Sequence, residues 1–210
     1  MKTILCLILC LCLVIPIMVS AERKVVTAVA SEINPDNLKS VLVDARIRAY
    51  NEEDSTITVD IISPETFDPE EIKNLKEGDA IYTQGHEMTV KSINNYDTFL
   101  TIVQDPEEAL ILFTDMEPYG AYDSDFPLWI TLATVTVPVY DSVIYLDDVD
   151  PATGDYLPLP AIHTAEEFLA GLAADDAAAP AFAANYYTMV FNSVGSLVEI
   201  RRQYVNTNWQ

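Results

Sequence analysis

Alternating apolar and polar positions are the dominant pattern of this chain. Apolar side chains occupy every second position from Val41 to Ala49 and again over residues 57–61, and a polar turn at 51–54 separates the two runs. A period of two places one face of a β-strand against a core and the other face toward solvent. The pattern therefore predicts a pair of half-buried strands early in the chain.

Shorter β-branched and aromatic runs continue along the rest of the sequence. Turn-forming residues separate them, notably at Gln84-Gly85, 150–154 and 193–195, and such residues connect the strands of hairpins. The stretch 115–126 is rich in Pro, Gly, Tyr and Asp, which is typical of a loop. The remaining predicted strands cover residues 80–83, 88–93, 99–103, 110–113, 129–139, 143–146, 156–159, 186–191 and 197–205.

Two segments carry the signals of a helix start. Asp68 precedes Pro69, and proline is favoured at the first helical position. Thr164 stands three residues before Glu167, which is the spacing of a capping box, where each side chain bonds the other residue's backbone. The second signal predicts a helix over residues 165–174.

These elements predict a mainly β protein of the α+β type, in two parts. Residues 38–104 combine short strands with glycine corners, as small closed β-barrels do, and are predicted to form a small β-barrel-like N-terminal module. Residues 105–210 are predicted to form a second β-rich unit that contains the one helix. Residues 22–37 form a lead-in segment.

The first 21 residues follow a different pattern. Lys2 is followed by a nearly unbroken apolar run from Ile4 to Val19, and the small residues Ser20-Ala21 end it. These are the features of a secretory signal peptide. We predict that residues 1–21 are removed on export and that the mature chain is secreted, extracellular, of bacterial type and without a membrane span. The mature chain is also cysteine-free, since the three cysteines lie in this segment at Cys6, Cys10 and Cys12.

The chain is strongly acidic, with 33 Asp and Glu against 11 Lys and Arg and a net charge of −22. Such a charge repels the phosphate backbone, so nucleic-acid binding is excluded as a function. No Lys or Arg lies between Lys91 and Arg201. We therefore expect the carboxylates of that stretch to face water, cap helices or bind cations.

Clustered aspartates make calcium the one cofactor that the sequence suggests. Calcium takes about six to eight oxygen ligands, many of them carboxylates. Residues 147–155 contain four aspartates around a turn, and the candidate metal ligands are Asp148, Asp150 and Asp155. The spacing lacks the glutamate that closes an EF-hand loop. The competing interpretation is a plain hairpin turn, which Asp-Pro and Thr-Gly pairs favour.

Aromatic residues crowd the other acidic segment. Tyr119, Tyr122 and Trp129 lie close in sequence to Asp123 and Asp125. Ligand sites combine an apolar or aromatic face with a few polar groups that fix orientation, so these five residues are the candidate glycan-binding set. The competing interpretation places Trp129 in the core, at the start of a strand.

Catalytic patterns are weak. His86-Glu87 begins like a zinc-protease motif, but Val90 stands where the second histidine belongs. No catalytic or cofactor-binding residues are therefore predicted. The sequence favours a non-enzymatic module that binds a protein or a glycan, or that has a structural role. The alternative is a small secreted glycan hydrolase that uses carboxylates of the 115–129 segment.

Overall fold

A computed structural model of the chain describes residues 23–105, 108–123, 126–150, 153, 155–174 and 186–204. It confirms a mainly β protein, with 57% strand and 8% helix. The predicted signal peptide lies outside the described residues. Within the ranges above, no helix has the length and apolar character needed to cross a membrane.

The described residues form two helices and sixteen strands. The helices are α1 (Pro69–Lys73) and α2 (Ala165–Ala174). The strands are β1 (Val25–Thr27), β2 (Val41–Asn51), β3 (Thr56–Pro64), β4 (Thr66–Phe67), β5 (Ala80–Thr83), β6 (His86–Thr89), β7 (Ser92–Asn95), β8 (Phe99–Asp105), β9 (Glu108–Phe113), β10 (Tyr119–Asp123), β11 (Phe126–Pro127), β12 (Trp129–Pro138), β13 (Ile144–Val149), β14 (Tyr156–His163), β15 (Tyr187–Phe191) and β16 (Leu197–Arg202).

The largest sheet has seven strands in the order β12-β3-β2-β15-β16-β13-β14. Its inner face carries the predicted alternation, because Val43, Ala45 and Ile47 of β2 are all buried. Helix α2 covers this face, and the rings of Phe168 and Tyr145 stack with centroids 3.9 Å apart. The buried residues of this first core come from 43–61 and from 137–200.

Two smaller sheets enclose a second core. One has six strands, in which β10, β9, β8 and β7 are successive neighbours and both β11 and β4 pair with β10. The other has the order β1-β5-β6, so the lead-in segment contributes a strand, and Val26 of β1 is fully buried. Apart from Val26, the buried residues of this core come from 67–121.

Apart from β1, the second core is inserted between two paired strands of the first. β3 and β12 are antiparallel neighbours with Pro64 opposite Trp129, yet residues 65–128 separate them along the chain. Strands on either side of the predicted boundary near residue 104 pair with each other, since β8 pairs with β9 and β2 pairs with β15. The two cores therefore group the strands differently from the division into 38–104 and 105–210.

Two local expectations need correction. The described strands of the predicted barrel-like module form no closed barrel, because β5 and β6 pair with β1 whereas β7 and β8 belong to another sheet. The stretch 115–126 was expected to be a loop, but it contains β10. Gly120 pairs with Phe113 on one side and with Thr66 on the other, so tertiary pairing overrides the turn-like composition.

The capping signals and the closing hairpins are confirmed. Asp68 Oδ1 accepts a hydrogen bond from the backbone N–H of Glu70 at 2.7 Å, at the start of α1. Thr164 Oγ1 accepts from Glu167 N–H at 3.2 Å, and Glu167 Oε2 accepts from Thr164 N–H at 2.9 Å. α2 spans residues 165–174 as predicted. β5 pairs with β6 and β15 pairs with β16 across short turns.

Candidate functional site

A pocket of about 340 Å³ lies where the seven-stranded sheet meets the six-stranded one. A volume of this order is typical of small-ligand sites. Its wall is mostly apolar and includes two aromatic rings. We call it the Trp129 pocket; it is lined chiefly by Pro64, Glu65, Met116, Pro118, Tyr122, Pro127 and Trp129.

Backbone hydrogen bonds explain why residues distant in sequence meet here. Glu65 N–H donates to the Leu128 carbonyl at 2.8 Å, and Ala121 N–H donates to the Glu65 carbonyl at 2.9 Å. Leu128 N–H then donates to the Ala121 carbonyl at 2.8 Å. These bonds place Tyr122, which follows Ala121, and Trp129, which follows Leu128, around one opening.

Glu65, one of the lining residues, has a buried carboxylate. Glu65 is only 2% exposed. Its Oε2 accepts hydrogen bonds from the Thr83 hydroxyl at 2.9 Å and from Gln84 Nε2 at 2.7 Å, and its Oε1 accepts from Gln84 N–H at 3.2 Å. A buried carboxylate requires such donors. The β5–β6 turn supplies them, with Gln84 in the left-handed region at φ 48°.

The indole of Trp129 extends the site toward the seven-stranded sheet. Its ring lies 5.1 Å from that of Tyr186, and the Arg46 guanidinium lies 4.8 Å above the Tyr186 ring. Arg46 also donates a hydrogen bond to the Tyr186 hydroxyl at 2.7 Å. A cation over an aromatic face is stabilising, so this stack holds the Trp129 side of the pocket in place.

On the opposite wall, Tyr122 leans over a glycine. A Cβ at Gly120 would lie 3.0 Å from Tyr122 Cε2 and 2.8 Å from Met116 Sδ. The missing side chain at Gly120 therefore allows both Tyr122 and Met116 to reach the pocket wall.

A second pocket of about 410 Å³ lies at the other end of the six-stranded sheet. Aromatic rings line it together with amide, hydroxyl and ammonium groups. We call it the Tyr96 pocket; its lining includes Lys73, Asn95, Tyr96, Phe99, Thr114 and Tyr119.

The structure separates the five residues predicted to bind a ligand. Tyr122 and Trp129 share the Trp129 pocket, whereas Tyr119 lines the Tyr96 pocket. Asp123 is exposed at the end of β10 and lines neither pocket. Asp125 lies outside the described residues. Trp129 is half-buried at the first position of β12, so it both packs and lines the site.

Four further residues of the site were not predicted from the sequence. Glu65 lines the pocket from the position between β3 and β4. Gln84, Arg46 and Tyr186 lie around it, in the turn after β5, in β2 and just before β15. None of the four has neighbours in the sequence that indicate a binding site. These four residues come together only because strands distant in sequence pair with one another. No short sequence motif contains them.

One of the aspartates proposed as calcium ligands forms an ion pair instead. Both Asp148 carboxylate oxygens accept from Arg201, at 2.8 and 2.9 Å. The Asp150 N–H donates to the Asp155 carbonyl at 2.8 Å, as in a hairpin turn. β13 lies parallel to β16 with Leu146 opposite Arg201, which brings this base to the cluster. Among the described residues, no group of three or more carboxylate, His or Cys side chains is arranged to hold a metal ion.

Comparisons with protein-family models, with curated proteins and with solved structures found no match to this chain. The site is therefore interpreted from its own geometry.

Proposed function

We propose that this protein is a secreted, acidic, non-enzymatic binding module whose Trp129 pocket takes a neutral glycan. The observation that carries the proposal is the presence of two aromatic residues, Tyr122 and Trp129, on the wall of one pocket that the polar residues Glu65, Thr66 and Glu117 also line. Aromatic faces pack against the apolar face of a sugar, and polar groups fix its orientation.

Charge supports a neutral ligand over an anionic one. The chain carries a net charge of −22, and Glu65 and Glu117 both line the pocket. An acidic ligand would meet repulsion at long range and at contact. A neutral sugar offers hydroxyl groups, which donate to carboxylates without a charge penalty.

The alternative function is carboxylate-dependent glycan hydrolysis, because two glutamates line the same pocket. A glycosidase needs one carboxylic acid that protonates the leaving group and a second carboxylate that acts as base or nucleophile. Both oxygens of Glu65 already accept hydrogen bonds from Thr83 and Gln84. A carboxylate held by these donors is not free to protonate a leaving group, so binding is the favoured function.

The test uses tryptophan fluorescence as a local reporter. The sequence has two tryptophans, so Trp209→Phe leaves Trp129 as the only indole. We expect neutral oligosaccharides of cellulose, chitin or starch to change its emission with saturation. We also expect Trp129→Ala, measured by calorimetry, to weaken binding by about tenfold or more, as for a central aromatic contact.

A matched variant controls for loss of a large aromatic side chain. Tyr140 is 54% exposed in the β12–β13 connection, and Tyr140→Ala is expected to leave affinity unchanged. Equal affinity of the Trp129→Ala and wild-type proteins would reject the pocket. Release of reducing ends by the wild type, lost in Glu65→Gln, would favour the hydrolase instead.

Calcium binding at the 147–155 turn is a separate proposal, and the ion pair of Asp148 with Arg201 argues against it. We expect the melting temperature in calcium chloride to equal that in magnesium chloride at the same ionic strength. Any salt screens a chain of this charge, so only a difference between the two cations is informative. A rise of several degrees in calcium alone would restore Asp148, Asp150 and Asp155 as ligands.

Secretion is proposed from the N-terminal pattern alone. The apolar run before Ser20-Ala21 motivates it. The intact mass of the exported protein tests it, with a chain that begins at Glu22 as the expected result.

A further inference from the structure

The Tyr96 pocket lies between helix α1 and the core-side face of the six-stranded sheet. Ile72 of α1 and Leu75, which follows the helix, line one side of it. Leu100 of β8 and Ile93 of β7 line the other side. Ile72, Leu75 and Leu100 belong to the second core and are 2%, 7% and 6% exposed. The pocket is therefore an opening into the apolar interior of this core.

Polar side chains lie at the rim of this opening. Asn95 pairs with Leu100 across the β7–β8 hairpin, so both side chains lie on the core-side face of the sheet. Asn95 is nevertheless exposed, because the core ends at this position. Thr114 lies two positions after Leu112, which is buried in the core, and also lines the pocket. The pocket thus combines an apolar floor with a polar rim.

Lys73 adds a positive charge to the rim. Among the described residues that line the pocket, it is the only one that carries a charge, in a chain with 33 acidic and 11 basic residues. Its ammonium lies 2.8 Å from the Glu70 carboxylate, and the two side chains are 55% and 76% exposed. An exposed ion pair of this kind is weakly held. The ammonium is therefore available to a carboxylate that enters the pocket.

We infer that the Tyr96 pocket binds a small amphiphilic carboxylate, which is a molecule with an apolar body and one carboxylate group. The apolar body is buried against the floor of the pocket, and the carboxylate pairs with the Lys73 ammonium at the rim. The volume of about 410 Å³ lies within the usual range of small-ligand sites, roughly 300–1,000 Å³. The site is distinct from the Trp129 pocket and does not depend on the function proposed there.

The chemistry of the floor and the rim selects this class of ligand. Transfer of an aliphatic or aryl group from water to the apolar floor is favourable, and a carboxylate forms charge-assisted hydrogen bonds with a lysine. A cationic amphiphile would be repelled by the ammonium, and a sugar would leave hydroxyl groups without partners at the floor. At physiological ionic strength, exposed charges more than about 8 Å away are largely screened, so the charge at the rim matters more than the net charge of the chain.

Calorimetry on the full chain tests the inference with small probes of known charge. Octanoate and phenylbutyrate carry one carboxylate on an aliphatic and on an aromatic body, so they distinguish the two sources of such a ligand. Octanamide is the neutral control, and octylammonium is the cationic one. We expect at least one carboxylate to bind with saturation, octanamide to bind about fivefold more weakly than octanoate or worse, and octylammonium not to bind.

Lys73→Gln is the central variant. We expect it to lower the affinity for octanoate by about fivefold to tenfold, the effect of one charge-assisted contact, and to leave the affinity for octanamide unchanged. Glu70→Gln should raise the affinity for octanoate by about twofold to fivefold, because the ammonium loses its competing carboxylate. Lys76→Gln removes the same charge from an exposed residue that does not line the pocket, and it should change neither affinity.

A further variant tests where the probes bind. Asn95 is exposed at the rim, so the indole of Asn95→Trp narrows the opening without entering the core, and it should abolish binding of octanoate and octanamide. Trp129→Ala should leave the affinity for octanoate unchanged. The inference is overturned if neither carboxylate binds, if octanoate binds no better than octanamide, or if Lys73→Gln and Asn95→Trp both bind octanoate as the wild type does.

Discussion

Asp60 shows how this acidic chain accommodates a buried carboxylate. It is 2% exposed on β3, and it accepts hydrogen bonds from Arg48 at 2.5 Å and from Thr134 at 2.7 Å. Burial disfavours its charge and raises its pKa. Two hydrogen bonds, from Arg48 and Thr134, and the positive charges of Arg48 and Arg46 act in the opposite direction. Together they have a larger effect than burial, so the pKa of Asp60 lies below its ordinary value.

A lowered folded-state pKa makes Asp60 a source of acid sensitivity. Its contribution to stability is fully present above the unfolded pKa, about 3.9, and is lost as the pH falls through the lower folded value. We expect Asp60→Asn to cost about 2 kcal/mol at neutral pH, as for a hydrogen-bonded charge. The cost should shrink toward zero in acid. Urea unfolding across this pH range measures it.

The control is Asp141→Asn, an exposed position between β12 and β13. Its unfolding free energy should follow that of the wild type at every pH. A loss for Asp60→Asn that does not change with pH would show that packing, and not the charge, is what Asp60 contributes.

At the scale of single elements, α2 depends on its capping box. The Thr164 backbone N–H and then its hydroxyl donate to the Glu167 carboxylate, which lowers the pKa of Glu167. The helix has acidic residues in its first turn and no basic residue in its last. Interaction with the helix dipole is therefore concentrated at the N-terminal end. The helix matters to the fold because Phe168 contacts Tyr145 and Tyr187 in the first core.

We expect Thr164→Ala to lower the free energy of unfolding by about 1 kcal/mol, the usual cost of losing an N-cap. Thermal and urea unfolding both measure it. Glu166→Gln changes the same turn without touching the capping box, and its cost should be less than half as large. Equal costs for the two variants would mean that general charge near the helix start, and not the cap, is responsible.

The insertion of one core into another dominates the architecture of the whole molecule. β3 and β12 pair from Thr56–Pro138 to Pro64–Trp129, and the pairing ends where the inserted segment begins. Glu65 and Leu128 are still joined by a backbone hydrogen bond. The seven-stranded sheet therefore has the geometry of a hairpin at this point, with a second β unit in place of its turn.

This topology predicts that the first core folds without the insertion. Replacing residues 66–127 by Asn-Gly, a favoured two-residue hairpin turn, should give a chain with a β-type circular dichroism spectrum and a cooperative melt. Deleting Glu65 as well shifts the register by one residue and directs buried side chains outward. That second chain should not fold. An unfolded first chain would mean that the inserted core is needed for the sheet.

The parts of the candidate site that depend on residues close in sequence could be predicted, and the parts that depend on distant strands could not. Tyr122 and Trp129 could be proposed from composition because aromatic and acidic residues cluster locally. Their common pocket, and its separation from Tyr119, could not be predicted, because alternation across β10 and the pairing of β3 with β12 decide them. The aspartates of β13 have no basic residue near them in the sequence. In the structure, Arg201 and Arg202 of the neighbouring strand β16 form ion pairs with Asp148 and Asp147.

Features that depend on neighbouring residues could be predicted from the sequence. These include the alternation in β2 and β3, the caps at Asp68 and Thr164, and the hairpin turns at Gly85 and Gly195, where a positive φ suits glycine. Three features depend on contacts between distant residues: which strands share a sheet, the formation of strand β10, and which side chains meet in the Trp129 pocket. The pairing of each strand depends on all the other strands that could supply backbone hydrogen bonds and buried area. Most of those strands are distant in sequence, so a short segment of the sequence does not determine the pairing.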